Sequence, residues 1–203
     1  EKLTELDEIM KKVSLSGAQL QQDINDARHK KNIDSEPKVC VHPMPHIGKS
    51  PSIFVMMDNP NWSEVDEFNY GSGVASEYLQ LAMRKSKVSL NEVYITGLVK
   101  CNKDKSETIT NAMINAYSPF VDDELKVINP PIILALGSKA IRHLMPVVKG
   151  GWEELVGQEH YDEGLDATII FGMNPAMIHF DHNKQELLDS LFARAREIID
   201  SFD

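Results

Sequence analysis

Two rhythms alternate along this chain. Short, nearly continuous apolar runs occupy residues 52–58, 92–99, 132–137 and 167–173. Runs of this kind, bounded by turn residues, read as parallel strands buried on both faces. Between them, apolar residues recur at helical spacing over residues 73–86, 107–128 and 138–145. A last amphipathic stretch, residues 183–202, sets Leu187, Leu188, Leu191, Phe192, Ala195, Ile198 and Ile199 on one side. Asn129-Pro130-Pro131 ends one helix and opens the next strand. Ser138, just after Gly137, reads as a helix N-cap. Strands joined by helices need right-handed crossovers. The pattern therefore predicts an α/β fold, a three-layer α/β/α sandwich around a central, mainly parallel four-stranded sheet.

Residues 1–36 carry a different pattern. Leu3, Leu6, Ile9, Met10 and Val13 share helical spacing, and Leu20, Ile24 and Ala27 extend a weaker stripe. This segment reads as an N-terminal helical arm or linker, with a helix packed on the main body as the alternative. Residues 37–203 form the main domain. They open on a loop broken by Pro43, Pro45, Gly48 and Pro51. No internal repeat or low-complexity tract interrupts them. The chain starts at Glu1 rather than a methionine, which predicts a chain processed, trimmed or cut from something longer.

Composition narrows the classes. With 203 residues, 42% hydrophobic and 26% charged, the chain has the profile of a soluble globular protein. No apolar run approaches the roughly 20 residues that span a bilayer, so no membrane partner is expected. The net charge of −10 argues against a strongly basic nucleic-acid binder. Local basic clusters remain at residues 100–105, at Lys49, and at Lys139 with Arg142 and His143. Each is weighed against an ordinary solvated surface. Two cysteines, Cys40 and Cys101, make neither a disulfide framework nor an all-cysteine metal site, and point to a reducing compartment. His179 and His182 flank Asp181, a spacing that reads as a polar loop before a metal half-site. No metal site and no cofactor are expected.

The candidate chemistry lies in two turns, each where an apolar strand surfaces. Met57-Asp58-Asn59-Pro60-Asn61 follows the first strand, and Gly172-Met173-Asn174-Pro175-Ala176 follows the fourth. Open α/β sheets bind ligands just outside the carboxyl ends of their strands. Two polar turns there can face each other across one cleft. The structural alternatives are that Asp58 caps a turn or helix and that Asn174 closes an Asx turn.

Four stretches in order resemble the uracil-DNA glycosylase superfamily. Val93-Tyr94-Ile95-Thr96-Gly97-Leu98-Val99-Lys100-Cys101 is similar to that family's "VYITNVVKC". The stretch from Pro130 to Ala140 is similar to its "PKVIVALGxxA". Met173-Asn174-Pro175-Ala176-Met177-Ile178 stands in the place of "HPAALL", and Val55 to Asn61 in the place of "GEAPG". The likeness covers residues 38–203. It is closest to the branch of the iron–sulfur glycosylases and the glycosylase-like domain of bacteriophage DNA polymerases. Such enzymes draw a nucleotide out of the stack and break its glycosidic bond through a cation-like sugar.

The resemblance implies roles residue by residue. Asp58 takes the place of the catalytic acid, Asn59 that of the polar residue before the proline, and Asn174 that of the residue steadying the departing base. An Asn-Pro at both turns is similar to the mismatch-specific branch. Phe68 or Tyr70 would stack on the base, with Trp62 a further candidate, and Gly97 stands where an amide would read its edge. Pro60, Lys100, Ser138 and Pro175 would meet DNA phosphates.

Three departures separate the chain from ordinary uracil excision. Gly97 removes the reading amide, a loss that weakens discrimination. Met57 and Asn61 replace the two glycines of the first turn. Two cysteines cannot hold a four-iron cluster. The reading that follows is a DNA-binding, glycosylase-like domain of replication or repair, with base excision lost or altered. It would belong to or accompany a phage polymerase or another replication protein, in the cytoplasm, or the host's if viral. Two alternatives stand beside it. One is an active DNA N-glycosylase hydrolysing the bond to uracil or a modified base. The other is a protein-interaction module that keeps only the fold.

Overall fold

The computed structural model describes residues 51–59, 73–100 and 108–202, with Thr4, Glu5, Asp7, Glu8, Ile9 and Lys11. In chain order the elements are β1 (Ile53–Met57), α1 (Gly73–Lys85), β2 (Val93–Gly97), α2 (Asn111–Ile128) and β3 (Ile132–Leu136). They continue with α3 (Ser138–Leu144), α4 (Trp152–Leu155), β4 (Glu159–Asp162), β5 (Ala167–Gly172) and α5 (Gln185–Asp200). The sheet order is β2-β1-β3-β5-β4. Four strands run parallel, as their unbroken apolar sequences predict.

The strand count needs correcting from four to five. β4 pairs antiparallel with β5 at the sheet edge, and its residues Glu159 to Tyr161 are exposed. An edge strand with solvent on its sides carries no apolar run, so hydrophobic patterning does not reveal it. The helix expected from residue 107 begins at Asn111, where the Thr110 hydroxyl accepts the Met113 N–H at 3.2 Å. It ends at Asn129, whose left-handed φ of 49° stops the helix ahead of the two prolines.

The parallel strands are buried, apart from half-buried Thr168 in β5, and pack two different faces. Ile53, Val55 and Met57 join Leu79, Ala82 and Met83 of α1 and Leu188, Leu191, Phe192 and Ala195 of α5. Phe54 and Met56 join Val121, Leu125 and Ile128 of α2 and Ala140 and Ile141 of α3. The alternation along β1 is the period of two that a strand imposes. The division of helices follows from the topology. The chain leaves β1 toward β2 and then crosses back past β1 to β3, so crossovers of one hand place α1 and α2 on opposite faces. At the N-terminus, Thr4, Glu5, Asp7–Ile9 and Lys11 are helical, and Ile9 is buried in the second cluster. The remainder of the 1–36 segment lies outside the described residues.

Candidate active site

The chain direction reverses between β1 and β3, and at this switch point the crevice of an open α/β sheet forms. Asp58 lies there, one residue past β1. Its Oδ1 accepts the backbone N–H of Lys139 at 3.0 Å and that of Ala140 at 2.8 Å. The carboxylate thus closes the first turn of α3 from across the sheet, where the helix's own amides have no intrahelical partner. Burial pushes the Asp58 carboxyl above its ordinary value, against the opposing pull of the Ala140 and Lys139 amides and the Lys139 charge. No described residue bonds Oδ2.

Sequence reasoning gave Ser138 the cap. The N-cap is Gly137, and no side chain of α3's own entry bonds the helix amides. Gly137 has φ 141°, a left-handed value that disfavours any side chain. A methyl group there would lie 2.5 Å from Asp58 Cγ and 2.6 Å from Oδ2. Glycine therefore gives the carboxylate the space it occupies. Ser138 is exposed, but two amides of its seven-residue helix are taken by Asp58, so this helix end is not open to a phosphate.

Asn174 follows β5. Its Oδ1 accepts the Ala176 N–H at 3.0 Å and caps the 3-10 turn Pro175–His179. The Asx turn of the structural alternative is present, and it leaves the Nδ2 donors without a described partner. β3 alone separates the strands that carry Asp58 and Asn174. Two inter-strand spacings put the turns about 10 Å apart. An acid and an amide donor across such a gap suit a bond whose breaking leaves positive charge on one fragment and negative charge on the other.

The remaining expected residues divide. Asn59 is half-buried in the bend after Asp58. Gly97 is buried at the end of β2, paired in register with Met57. Pro175 is buried as the first residue of its turn, so its ring shapes that turn and does not meet DNA. Lys100 is a second correction. It is completely buried, with Nζ 2.8 Å from Glu124 Oε2, and it cannot reach a phosphate. Pro60, Phe68 and Tyr70, with Trp62, Cys40 and Cys101, lie outside the described residues.

Other residues enter only with the structure. The amides of Lys139 and Ala140 have no sequence signature of their own, yet a glycine at the N-cap of α3 hints that the capping oxygen comes from elsewhere. Glu124 sits with Tyr117, Val121, Leu125 and Ile128 on the buried stripe of α2. An acid on an apolar stripe is a legible signal, because it demands a buried partner. Phe180, after the second turn, is 87% exposed and meets the His179 ring edge-on.

The family model of the uracil DNA glycosylase superfamily matches residues 26–196. The chain belongs to this superfamily. Over 155 residues it is 27% identical to the DNA polymerase III subunit alpha of Yersinia pestis, across 76% of this chain and 13% of that subunit. It is 24% identical over 113 residues to the Type-4 uracil-DNA glycosylase of Sulfurisphaera tokodaii, across 53% and 51% of the two chains. The Type-4 uracil-DNA glycosylase of Thermotoga maritima is 33% identical over 69 residues, across 34% and 36%. The match thus spans about half of the first glycosylase and a small part of the polymerase subunit.

An iron–sulfur cluster does not fit this member. The chain holds two cysteines, half of the four thiolates a four-iron cluster takes. Among the described residues no group of three or more His, Cys, Asp or Glu side chains is placed to hold a metal ion. No helix among them is long and apolar enough to cross a membrane.

Proposed function

We propose that this superfamily domain binds DNA along the carboxyl ends of its strands, receives a nucleotide between the β1 and β5 turns, and has lost or altered uracil excision. The observation that carries this reading is the state of Asp58. Its Oδ1 is committed to two helix amides, so one of its two oxygens is tied to the fold and not free to orient water. Gly97, without a side chain, offers the base edge no amide. A site lacking that bond distinguishes uracil poorly. A role beside replication is supported by the resemblance of three quarters of the chain to a segment of a polymerase subunit. The domain would then serve as part of a polymerase or as its companion.

Labelled oligonucleotides carrying uracil, mismatches or modified pyrimidines test this. The expected result is a gel shift that weakens with salt and no alkali-sensitive site at uracil. Strand breakage at uracil, lost in Asp58→Ala, would overturn it. A second reading, excision of a different base, is favoured by Asp58 Oδ2 and Asn174 Nδ2, neither bonded by a described residue. It predicts alkali-sensitive sites at one modified pyrimidine, abolished by either Asp58→Ala or Asn174→Ala.

A further inference from the structure

Lys100 and Glu124 form an ion pair with no exposed side-chain surface on either partner. Lys100 Nζ also donates to Thr96 Oγ1 at 2.6 Å and to the Gly97 carbonyl at 3.2 Å. Thr96 Oγ1 donates in turn to Glu124 Oε2 at 3.1 Å. Tyr94 stands beside the same carboxylate. Burial, reinforced by the Glu124 charge, holds its hydroxyl well above the ordinary tyrosine value.

A buried ion pair is weak evidence for stability. Desolvating both charges offsets their attraction, and apolar residues of like volume often serve a fold as well. This pair is not fully satisfied either, for Glu124 Oε1 is buried with no hydrogen-bond partner among the described residues. What sets it apart is where its bonds lead. Lys100 Nζ holds the carbonyl of Gly97, at the tip of β2. The next two amides reach the first turn: Leu98 N–H donates to the Met57 carbonyl at 2.8 Å, and Val99 N–H to the Asp58 carbonyl at 3.0 Å. A line of bonds thus runs from α2 through Lys100 and the β2 tip to the backbone of Asp58.

We propose that the Lys100–Glu124 pair is a positioning device: from inside the α2 layer it fixes the β2 tip that holds Gly97 and the Asp58 turn in place for a bound nucleotide. The purpose assigned to the device rests on the DNA-binding reading above. The bond line itself does not, and the two are tested by separate measurements. Lys100 and Glu124 act through other groups and are positioning residues.

The test compares the wild-type domain with T96V/K100M/E124L in a Tyr94→Phe background, which makes the side chains of the network apolar, and with Glu124→Gln, which keeps the shape and removes the charge. Three quantities are measured: the melting temperature, the amide exchange of Leu98 and Val99 against that of Ile133 and Leu134 in β3, and affinity for a labelled oligonucleotide. The apolar variant is expected to melt near the wild type. Its Leu98 and Val99 amides should exchange at least about tenfold faster, with β3 unchanged, as for a local opening. Its DNA affinity should fall by a similar factor. If it does not fold, Glu124→Gln decides, with a several-fold change expected in the same two amides. Unchanged exchange at Leu98 and Val99 in a folded variant would overturn the proposal. So would a loss of protection spread evenly over β2 and β3 with a lower melting temperature, the mark of a purely stabilising role. A wild type that binds no oligonucleotide would sink the DNA reading, while the exchange data would still decide the bond line.

Discussion

Asp58 joins two roles that compete at the level of a single residue. Because burial raises its carboxyl pKa, the folded state holds that proton more tightly than the unfolded chain does. The corresponding stability is complete below the unfolded value, near 3.8, and is lost as pH rises through the raised folded value. Asp58→Asn keeps an oxygen for the Lys139 and Ala140 amides and has nothing to titrate. Its melting temperature relative to wild type should therefore climb as pH rises from below 3.8 toward neutrality. A relative fall over that range would contradict the assignment. Gly137→Ala tests the same contact from the other side. The left-handed φ alone costs about 1–3 kcal/mol, and the added methyl meets the carboxylate. Combining it with Asp58→Ala should cost less than the two changes summed, read by chemical denaturation, because alanine removes the Cγ and both oxygens that the methyl meets. Asp58 and Asn174 were legible as candidate residues because each stands in a polar turn that follows an apolar run. Their partners were not, since backbone amides brought from residues 139 and 140 leave no mark at residue 58.

At the scale of elements, the two-sided burial of the parallel strands made them legible. β1, β2, β3 and β5 are buried on both faces, Thr168 apart, so each is a nearly continuous apolar run within a residue or two of its true ends. Helix termini were legible where a side chain caps locally. Thr110 is the example, and Thr110→Ala should cost about 1 kcal/mol, measured by denaturant melts, with the sheet unchanged. Legibility failed where the capping group is distant, as at Gly137, and where an element is defined by pairing alone, as in β4. It failed for Lys100 too. A lysine three residues beyond a strand reads as surface, and only the acid on the buried stripe of α2 betrays that it turns inward.

For the whole molecule, the charge balance sets how the proposed DNA ligand would be held. An excess of ten negative charges leaves a phosphate backbone few places to settle. Arg142 is exposed on α3, with Lys139 one turn earlier and half-buried beside Asp58. Replacing both with alanine should weaken binding across all sequences and lower the salt dependence by about one counterion per residue. Titrations at several salt concentrations measure that slope, and an unchanged slope would move the phosphate track elsewhere. Gly97, Met57, Leu136 and Gly172 stand in one register row across four strands. The strand tips are therefore flush, and each candidate turn starts from the same line whatever lies between the strands. Segments inserted on the far side of the sheet leave that line intact, whereas one residue added within a strand would advance its turn by about 3.3 Å and invert its faces. Such a sheet tolerates large differences in overall length and can sit inside a much longer polypeptide without realigning its working edge.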